Sequence, residues 1–344
     1  RKLAVRGGCD LVLELPVAFA VASAEFFARG GVDLLERLGI VTHLAFGAET
    51  PDITLLGQVA SELKKCAAQE EVAKIIATGK GYAAAINGVI SKRLDLPEGF
   101  MRSPNNILGI EYLRAMTRLS PIVVPRCGGG HADLSLAGNY ASAGAIRLAL
   151  RQETIPWGKI QGLLPRFSYD KLRETKDLAD TNRLWRPLMA KLFVAGDMLP
   201  SKIYGMKEGL SERIVHQAQG AASFEDLVTR ASCKRYTKSR IRRALVHTLL
   251  GLTQETEENF IKSKPMYARV LALSRRGRNN LRTIKEKYDL PLVMQTAKFL
   301  RQERDTVCKK MLEMDLCATN LREICCSTPF FFGQDLVCSP MYVP

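Results

Sequence analysis

The sequence predicts an α/β protein in which a doubly wound parallel sheet is followed by a mainly α-helical domain. In residues 1–156, short apolar runs alternate with amphipathic helical patterns, which is typical of a parallel sheet covered by helices. In residues 157–344 this alternation stops and helical periodicity dominates, before a C-terminal tail with packing segments. The length of 344 residues also exceeds that of a typical single domain. We therefore predict two domains that meet near residue 156.

The first elements follow this alternation. Residues 1–6 indicate the end of a helix, which the two glycines that follow terminate. The apolar run at 11–15 predicts a buried strand of the parallel sheet. Residues 19–38 have helical periodicity, and we expect Gly30 and Gly31 to divide this stretch into two helices.

The next elements bring polar residues to strand ends. Residues 42–46 predict a second strand that closes on Gly47, and residues 55–76 predict one long amphipathic helix. A β-branched run at 122–124 is followed closely by Arg126. Because ligands of such sheets bind beyond the carboxyl ends of the strands, Gly47 and Arg126 mark a candidate site.

Three groups of residues before the helical half are typical of phosphate contacts. Asn105 and Asn106 precede an apolar helical pattern, and we expect one of them to cap that helix. Arg126 opens a glycine-rich stretch that lets backbone amides approach a ligand. Ser142 lies where a further helix begins and Arg147 follows about one turn later, which suits an anion. For each group, an ordinary cap or loop is the alternative.

A basic run lies in the helical half. Six of the ten residues from 234 to 243 are basic and one is aromatic. Thr237 or Ser239 is well placed to cap the helix that this run begins. The basic side chains can contact phosphates and Tyr236 can stack on an unpaired base, whereas a solvated helix start is the alternative. Few acidic residues lie nearby in the sequence, so we favour RNA contact. The candidates are Lys234, Arg235, Tyr236, Lys238, Arg240, Arg242 and Arg243.

Composition narrows the class of protein. The formal net charge of +15 indicates an anionic partner, with nucleic acid as the usual one and a membrane surface as the alternative. A second basic cluster at residues 275–282 adds to this charge. No stretch reaches the roughly 20 apolar residues of a membrane span. The nine cysteines lack zinc or disulfide spacing, which predicts a cytoplasmic protein.

Several of these segments together resemble a known family. Residues 9–16 (Cys-Asp-Leu-Val-Leu-Glu-Leu-Pro), residues 45–49 (Ala-Phe-Gly-Ala-Glu), the stretch 103–147 and the basic run 234–243 occur in the same order in the bacterial tRNA(Met) cytidine acetate ligases. That family belongs to the H-x-G-H nucleotidyltransferase-like proteins, and the resemblance extends, with gaps, along most of the chain.

The resemblance implies a Rossmann-like nucleotidyltransferase domain that binds ATP in 1–156 and a tRNA-binding domain in 157–344. It implies a ligase that activates acetate with ATP as acetyl-adenylate and acetylates N4 of the wobble cytidine of elongator tRNA(Met), with Mg²⁺ expected beside ATP. The family positions that contact ATP correspond to Gly47, Asn105 and Arg126. The Ser142–Arg147 segment resembles the triphosphate-binding motif, but Gly144 stands where a Thr is usual, which removes one hydroxyl donor.

Several roles stay open at this point. No His-x-Gly-His occurs in the 344 residues; the resemblance places this motif, with the first strand, upstream of Arg1, so we expect missing upstream sequence and assign no catalytic residue. His131 and Asp133 form either a catalytic pair or a local hydrogen bond. Glu14 either faces the site or forms a structural pair. The alternative functions are an adenylyltransferase acting on a small acid or nucleotide, and a non-catalytic RNA-binding relative.

Overall fold

The fold was determined as a computed structural model, which describes residues 1–78, 82–127, 134–136, 138, 140–175, 177–194, 200–327 and 329–344. The helices of the first half are α1 (Lys2–Arg6), α2 (Val17–Ala20), α3 (Ala24–Arg37), α4 (Ile53–Lys64), α5 (Cys66–Ala77), α6 (Tyr82–Arg93), α7 (Pro104–Ala115) and α8 (Ala143–Ala149). Those of the second half are α9 (Trp157–Gln161), α10 (Arg166–Glu174), α11 (Trp185–Phe193), α12 (Leu210–Ala218), α13 (Phe224–Ala231), α14 (Lys238–Leu250), α15 (Gln254–Ser263), α16 (Arg275–Lys287), α17 (Thr296–Gln302), α18 (Thr306–Ile324) and α19 (Gln334–Val337). Short 3₁₀ helices lie at Phe100–Arg102, Thr181–Leu184 and Pro200–Lys202.

The strands form two separate sheets. They are β1 (Leu11–Glu14), β2 (His43–Ala48), β3 (Ser120–Pro125), β4 (Ala268–Ser274), β5 (Leu292–Val293) and β6 (Met341–Val343). In one sheet β2 and β3 are parallel. In the other, β4 pairs antiparallel with β1 and parallel with both β5 and β6. The predicted class, α/β with parallel strands and a large helical part, is confirmed.

The position of β1 corrects one prediction. The run at 11–15 does form a strand, but it pairs with β4 of the second half and not with β2. Leu11 and Leu13 are half-buried there, against a core that includes Leu34 of α3 and Ile284 of α16, so the strand is less buried than predicted. The division near residue 156 stays a prediction, and one sheet contains strands from both sides of it.

Two helix boundaries also differ from prediction. Gly30 lies inside α3, and the break falls between α2 and α3 instead. A Cβ on Gly30 would lie 2.5 Å from Cγ of Phe19, so the glycine allows α3 to cross this ring closely and does not end the helix. Farther along, Lys65 is extended and divides the predicted long helix into α4 and α5. This break lets α4 pack on α7 while α5 packs on α6.

The two candidate sites stand on separate cores. Beneath β2, side chains of α4, α5, α6 and α7 form one core, which includes Leu56, Ile90 and Ile110. In the second half, α11 to α14 form another, which includes Leu188 and Leu245. The first core supports the carboxyl ends of β2 and β3, and the second supports the basic run at the start of α14.

Candidate functional site

The carboxyl ends of β2 and β3 bring two predicted residues together. Gly47 pairs with Val124 in the parallel register, and the backbone N–H of Arg126 donates to the carbonyl oxygen of Ala48 at 3.1 Å. Gly47 is exposed and Arg126 is half-buried. A Cβ at Gly47 would lie 3.9 Å from the Val124 carbonyl oxygen, in ordinary contact. Packing therefore does not require this glycine, and its backbone remains accessible to a ligand.

A carboxylate organises the start of α7 beside this edge. The predicted asparagine cap is wrong, because Asn105 and Asn106 lie inside the first turn, after Ser103. Instead, Oε1 of Glu49 accepts from Nδ2 of Asn105 at 2.9 Å, and Oε2 accepts from the backbone N–H of Asn106 at 3.0 Å. The Asn106 side chain is buried and accepts from the backbone N–H of Thr50 at 2.9 Å. These bonds join the loop after β2 to α7.

Sequence reasoning did not assign this role to Glu49. The available signal was an acidic residue at a strand end, two positions beyond Gly47 and close to a helix N-terminus. A carboxylate there satisfies amides that lack intrahelical partners and is favoured by the helix dipole. The consequence is that Gly47, Asn105 and Arg126 share one edge of the sheet.

The other predicted phosphate contacts lie on α8. The Ser142 hydroxyl accepts from the backbone N–H of Ala145 at 3.0 Å, which confirms Ser142 as the cap of this helix. Arg147 is exposed on the same helix. Ala149 packs into a small core with Ile160 of α9. The structure thus keeps Ser142 and Arg147 on one helix, supported by the elements that follow it.

The open question about Glu14 is answered by an ion pair. Oε2 of Glu14 accepts from Nη1 of Arg269 at 2.7 Å, and Nη2 of Arg269 lies 2.6 Å from a carboxylate oxygen of Asp335. Burial raises the pKa of Glu14, while the charge of Arg269 opposes that rise. Glu14 is therefore a structural partner that ties β1 to β4. His131 and Asp133 lie outside the described residues.

The basic run begins α14 as predicted. The Thr237 hydroxyl accepts from the backbone N–H of Arg240 at 3.3 Å, so Thr237 is the cap. Ile241 and Leu245 face the helical core, which turns the opposite side of the helix towards solvent. We call the basic residues of this solvent side, together with those just before the helix, the α14 face. It comprises Lys234, Arg235, Lys238, Arg240 and Arg242.

Tyr236 does not serve as a stacking platform. Its side chain is 5% exposed and belongs to the helical core, while its hydroxyl donates to the carbonyl oxygen of Glu208. The guanidiniums of Arg235 and Arg240 lie 5.5 and 5.3 Å from the ring centroid. The prediction that Tyr236 stacks on a base is therefore wrong, because the ring completes the core beneath α14. It instead holds two arginines at the surface.

Part of the charge on this helix is neutralised from a distance. Arg240 pairs with Glu208 at 3.1 Å and Arg242 pairs with Glu225 at 2.5 Å. These partners lie 32 and 17 positions away in the sequence, so the scarcity of acids near the run in the sequence did not leave these two arginines unpaired. Arg243 is half-buried, and burial lowers its pKa. Among the described residues, Lys234, Arg235 and Lys238 have no ion pair.

The described residues contain no group of three or more His, Cys, Asp and Glu side chains that would hold a metal ion. No helix in the described part of the chain is both long and apolar enough to cross a membrane. The edge at β2 and β3 offers an accessible backbone, an asparagine amide and a guanidinium, a set that suits the phosphates and polar groups of a nucleotide.

The sequence matches known proteins along most of its length. A family model described as HIGH Nucleotidyl Transferase matches residues 1–331. Over 354 aligned residues the chain is 32% identical to a tRNA(Met) cytidine acetate ligase of Acetivibrio thermocellus, covering 96% of this chain and 83% of that protein. Over 340 residues it is 34% identical to the tRNA(Met) cytidine acetate ligase of Syntrophotalea carbinolica, covering 92% and 80%.

Solved structures give the same result. The fold matches the crystal structure of Thermotoga maritima TmcAL in an apo form with a TM-score of 0.91 and 26% identity, covering 99% of this chain and 86% of that one. It matches the same protein bound with alpha-thio ATP with a TM-score of 0.88, again at 26% identity and with the same coverage. This likeness confirms the predicted Rossmann-like α/β fold with a helical part.

Proposed function

Because this chain belongs to the tRNA(Met) cytidine acetate ligases of the HIGH nucleotidyltransferase family, we propose that it acetylates N4 of the wobble cytidine of elongator tRNA(Met). An acetate oxygen attacks the α-phosphorus of ATP, which forms acetyl-adenylate and releases diphosphate. The cytidine amine then attacks the acetyl carbon, and AMP and a proton leave. The observation that carries this proposal is the meeting of Gly47, Asn105 and Arg126 at one strand edge.

The nucleotide would bind at that edge. Gly47 lets the backbone approach the nucleotide, and the guanidinium of Arg126 offsets phosphate charge. Glu49 holds Asn105 in place through its side-chain amide. By resemblance to the family, Ser142 and Arg147 of α8 would contact the triphosphate. ATP is expected to bring Mg²⁺, which would be held largely by phosphates and water.

tRNA would bind the α14 face. Its exposed cations, Lys234, Arg235 and Lys238, are free to contact RNA phosphates, and Arg240 and Arg242 lie beside them in ion pairs. Positioning of both substrates on one chain lowers the entropic cost of bringing the adenylate to the cytidine. A protein that acts on tRNA in this way would work in the cytoplasm.

Arg126→Ala tests the assignment of two separate sites. We expect the variant to bind ATP at least about tenfold more weakly, since a charged contact to phosphate is lost. Its affinity for tRNA should change by less than about twofold, because Arg126 is not part of the α14 face and the phosphate contacts made there are kept. Isothermal titration with ATP and filter binding with tRNA measure the two affinities. Arg166→Ala, an exposed arginine of α10, is the matched control.

A parallel loss of ATP and tRNA binding, with an unchanged melting curve, would contradict the two-site assignment. The reaction itself is tested with the protein as its gene encodes it, incubated with ATP, labelled acetate and bulk tRNA. Acid-stable label in tRNA that requires ATP supports the ligase. ATP consumption without labelled tRNA would indicate an adenylyltransferase acting on a small molecule, and tRNA binding without either signal would indicate a non-catalytic RNA-binding protein.

A further inference from the structure

The helix α16 carries a dense positive charge on its solvent side. Six of its thirteen residues are Lys or Arg and one is acidic. Gly277 and Ile284 are buried, and Leu281 is half-buried between them, so these apolar positions face the core next to β4. The basic side chains therefore point away from the core. Packing against the core therefore does not explain why so many basic residues occur on this helix.

Little of this charge is neutralised by the protein. The nearest carboxylate to Arg276 is that of Asp10, at 3.6 Å. Arg282 pairs with Glu286 at 3.2 Å, but both side chains are largely exposed, and such a pair contributes little. In the part of the chain that the structure describes, Arg275 and Arg278 form no ion pair. A polyanion would meet these guanidiniums without first breaking strong internal pairs.

An exposed aromatic ring lies beside this charge. Strand β6 pairs with β4 so that Tyr342 is opposite Leu273, next to the start of α16. The Tyr342 side chain is 44% exposed, and the guanidinium of Arg278 lies 5.6 Å from its ring centroid. This contact orients Arg278 at the surface. Guanidiniums next to an accessible ring are the combination that proteins use to bind RNA backbone and stack unpaired bases.

From this arrangement we propose that α16 and Tyr342 form a second RNA-binding surface, separate from the α14 face. We call it the α16 surface, and it comprises Arg275, Arg276, Arg278, Arg282 and Tyr342. It rests on the proposed function, because the RNA in question is the tRNA substrate. The two surfaces stand on different cores, so substitutions at one can be made without altering the packing of the other.

The chemistry of the surface favours RNA over a membrane. A helix that binds in a membrane interface needs an exposed apolar face to insert, whereas Gly277 and Ile284 of α16 are buried and Leu281 is half-buried. What α16 presents is arginine, which forms paired hydrogen bonds with phosphate groups. The α16 surface thus adds backbone contacts and one stacking position to the tRNA site.

The test compares two pairs of substitutions that remove the same charge. R275Q/R278Q changes the α16 surface, and R166Q/K171Q changes two exposed residues of α10. For R275Q/R278Q we expect tRNA affinity to fall about tenfold at low salt and the slope of log affinity against log salt to decrease by about two. The α10 pair should change the affinity by less than about twofold. Fluorescence anisotropy with labelled tRNA at several salt concentrations measures both quantities, and circular dichroism melts check folding.

A third variant, Tyr342→Leu, keeps every charge and removes the ring. It should weaken binding of a single-stranded RNA oligonucleotide more than twofold while leaving the salt slope unchanged. Equal losses of tRNA affinity in the two charge pairs would overturn the inference, because net charge alone would then explain binding. So would unchanged tRNA affinity in R275Q/R278Q accompanied by lost binding to vesicles of anionic phospholipid.

The outcomes separate this inference from the proposed function. If the unaltered protein acetylates tRNA and R275Q/R278Q binds tRNA like the α10 pair, the proposal that the α16 surface binds RNA is wrong, and the proposed ligase activity is supported. If the unaltered protein binds tRNA without ATP-dependent acetylation, the proposed ligase activity is wrong. The comparison of R275Q/R278Q with R166Q/K171Q still decides whether α16 binds RNA. If it binds no RNA at all, both are overturned.

Discussion

Two helices of this protein begin with dense basic runs and present very different surfaces. At α14, the aromatic ring of Tyr236 is buried, and Arg240 and Arg242 are paired with Glu208 and Glu225. At α16, the ring of Tyr342 is half exposed, and the two arginines that have ion pairs, Arg276 and Arg282, have side chains that are 80% and 90% exposed. The local density of basic residues therefore overstates the charge that is available to a ligand at α14, and it describes α16 well.

The difference follows from where each helix packs. The helix α14 lies within a bundle, so α13 and the loop before α12 bring acidic residues and a carbonyl oxygen to its start. By contrast, α16 covers one side of the sheet that contains β4 and leaves its other side open. Neighbouring elements supply partners to a helix in a bundle, and a helix at the edge retains its charge. Substitutions can test this contrast between α14 and α16.

The largest effect is expected from Gly277→Ala. A Cβ at this position would overlap the backbone carbonyl oxygen of Asp10, so α16 would have to move away from the start of β1. We expect the free energy of unfolding to fall by about 3 kcal/mol or more, with tRNA affinity falling alongside it. Chemical denaturation measures the first quantity, and anisotropy measures the second.

Gly57→Ala provides the matched control for this prediction. Gly57 is also inside a helix, and among the described residues a Cβ there would meet no atom within 4 Å. It should leave stability unchanged or raise it slightly, because Ala favours helix more than Gly does. If Gly277→Ala behaved like Gly57→Ala, α16 would not be held against Asp10, and the fixed geometry of the α16 surface would be wrong.

The next effect is expected from the two tyrosines, whose order differs between loss of stability and loss of RNA affinity. Tyr236→Ala removes a ring from the helical core and should cost about 3 kcal/mol of unfolding free energy. Tyr342→Ala removes a half-exposed ring and should cost about 0.5 kcal/mol or less. For single-stranded RNA the order reverses, with the larger loss of affinity in Tyr342→Ala. Equal stability losses in the two variants would contradict the contrast between the helices.

The smallest effect is expected from Glu225→Gln. Removal of this carboxylate frees Arg242 for phosphate contact, so tRNA affinity should rise about twofold to threefold at low salt and less at high salt. Stability should change by about 0.5 kcal/mol or less, because the pair is exposed. Glu255→Gln, an exposed acid of α15, controls for the change in net charge. An equal rise in both variants would mean that Arg242 does not contact RNA.

Some local features of the chain could be predicted from the sequence, and others could not. A cap at Ser142 was one of two alternatives and Thr237 was one of two candidates, and both caps form, because a hydroxyl that bonds an amide three positions later depends on few residues. Strands β2 and β3 and the pairing of their ends followed from apolar runs and the rules of parallel sheets. The break after α2 and the use of Gly30 inside α3 were not predictable, since they depend on the position of Phe19 in space.

The sequence by itself determined the α/β class, the strand ends at Gly47 and Arg126, and the two basic runs at residues 234–243 and 275–282. Tertiary structure decided that β1 pairs with β4, that Glu49 organises α7, and which cations remain free. The physical reason is the separation along the sequence between the residues that determine each feature. Caps and strand ends depend on neighbours within a few residues, whereas Arg240 and Arg242 are neutralised by partners 32 and 17 positions away that packing alone brings close.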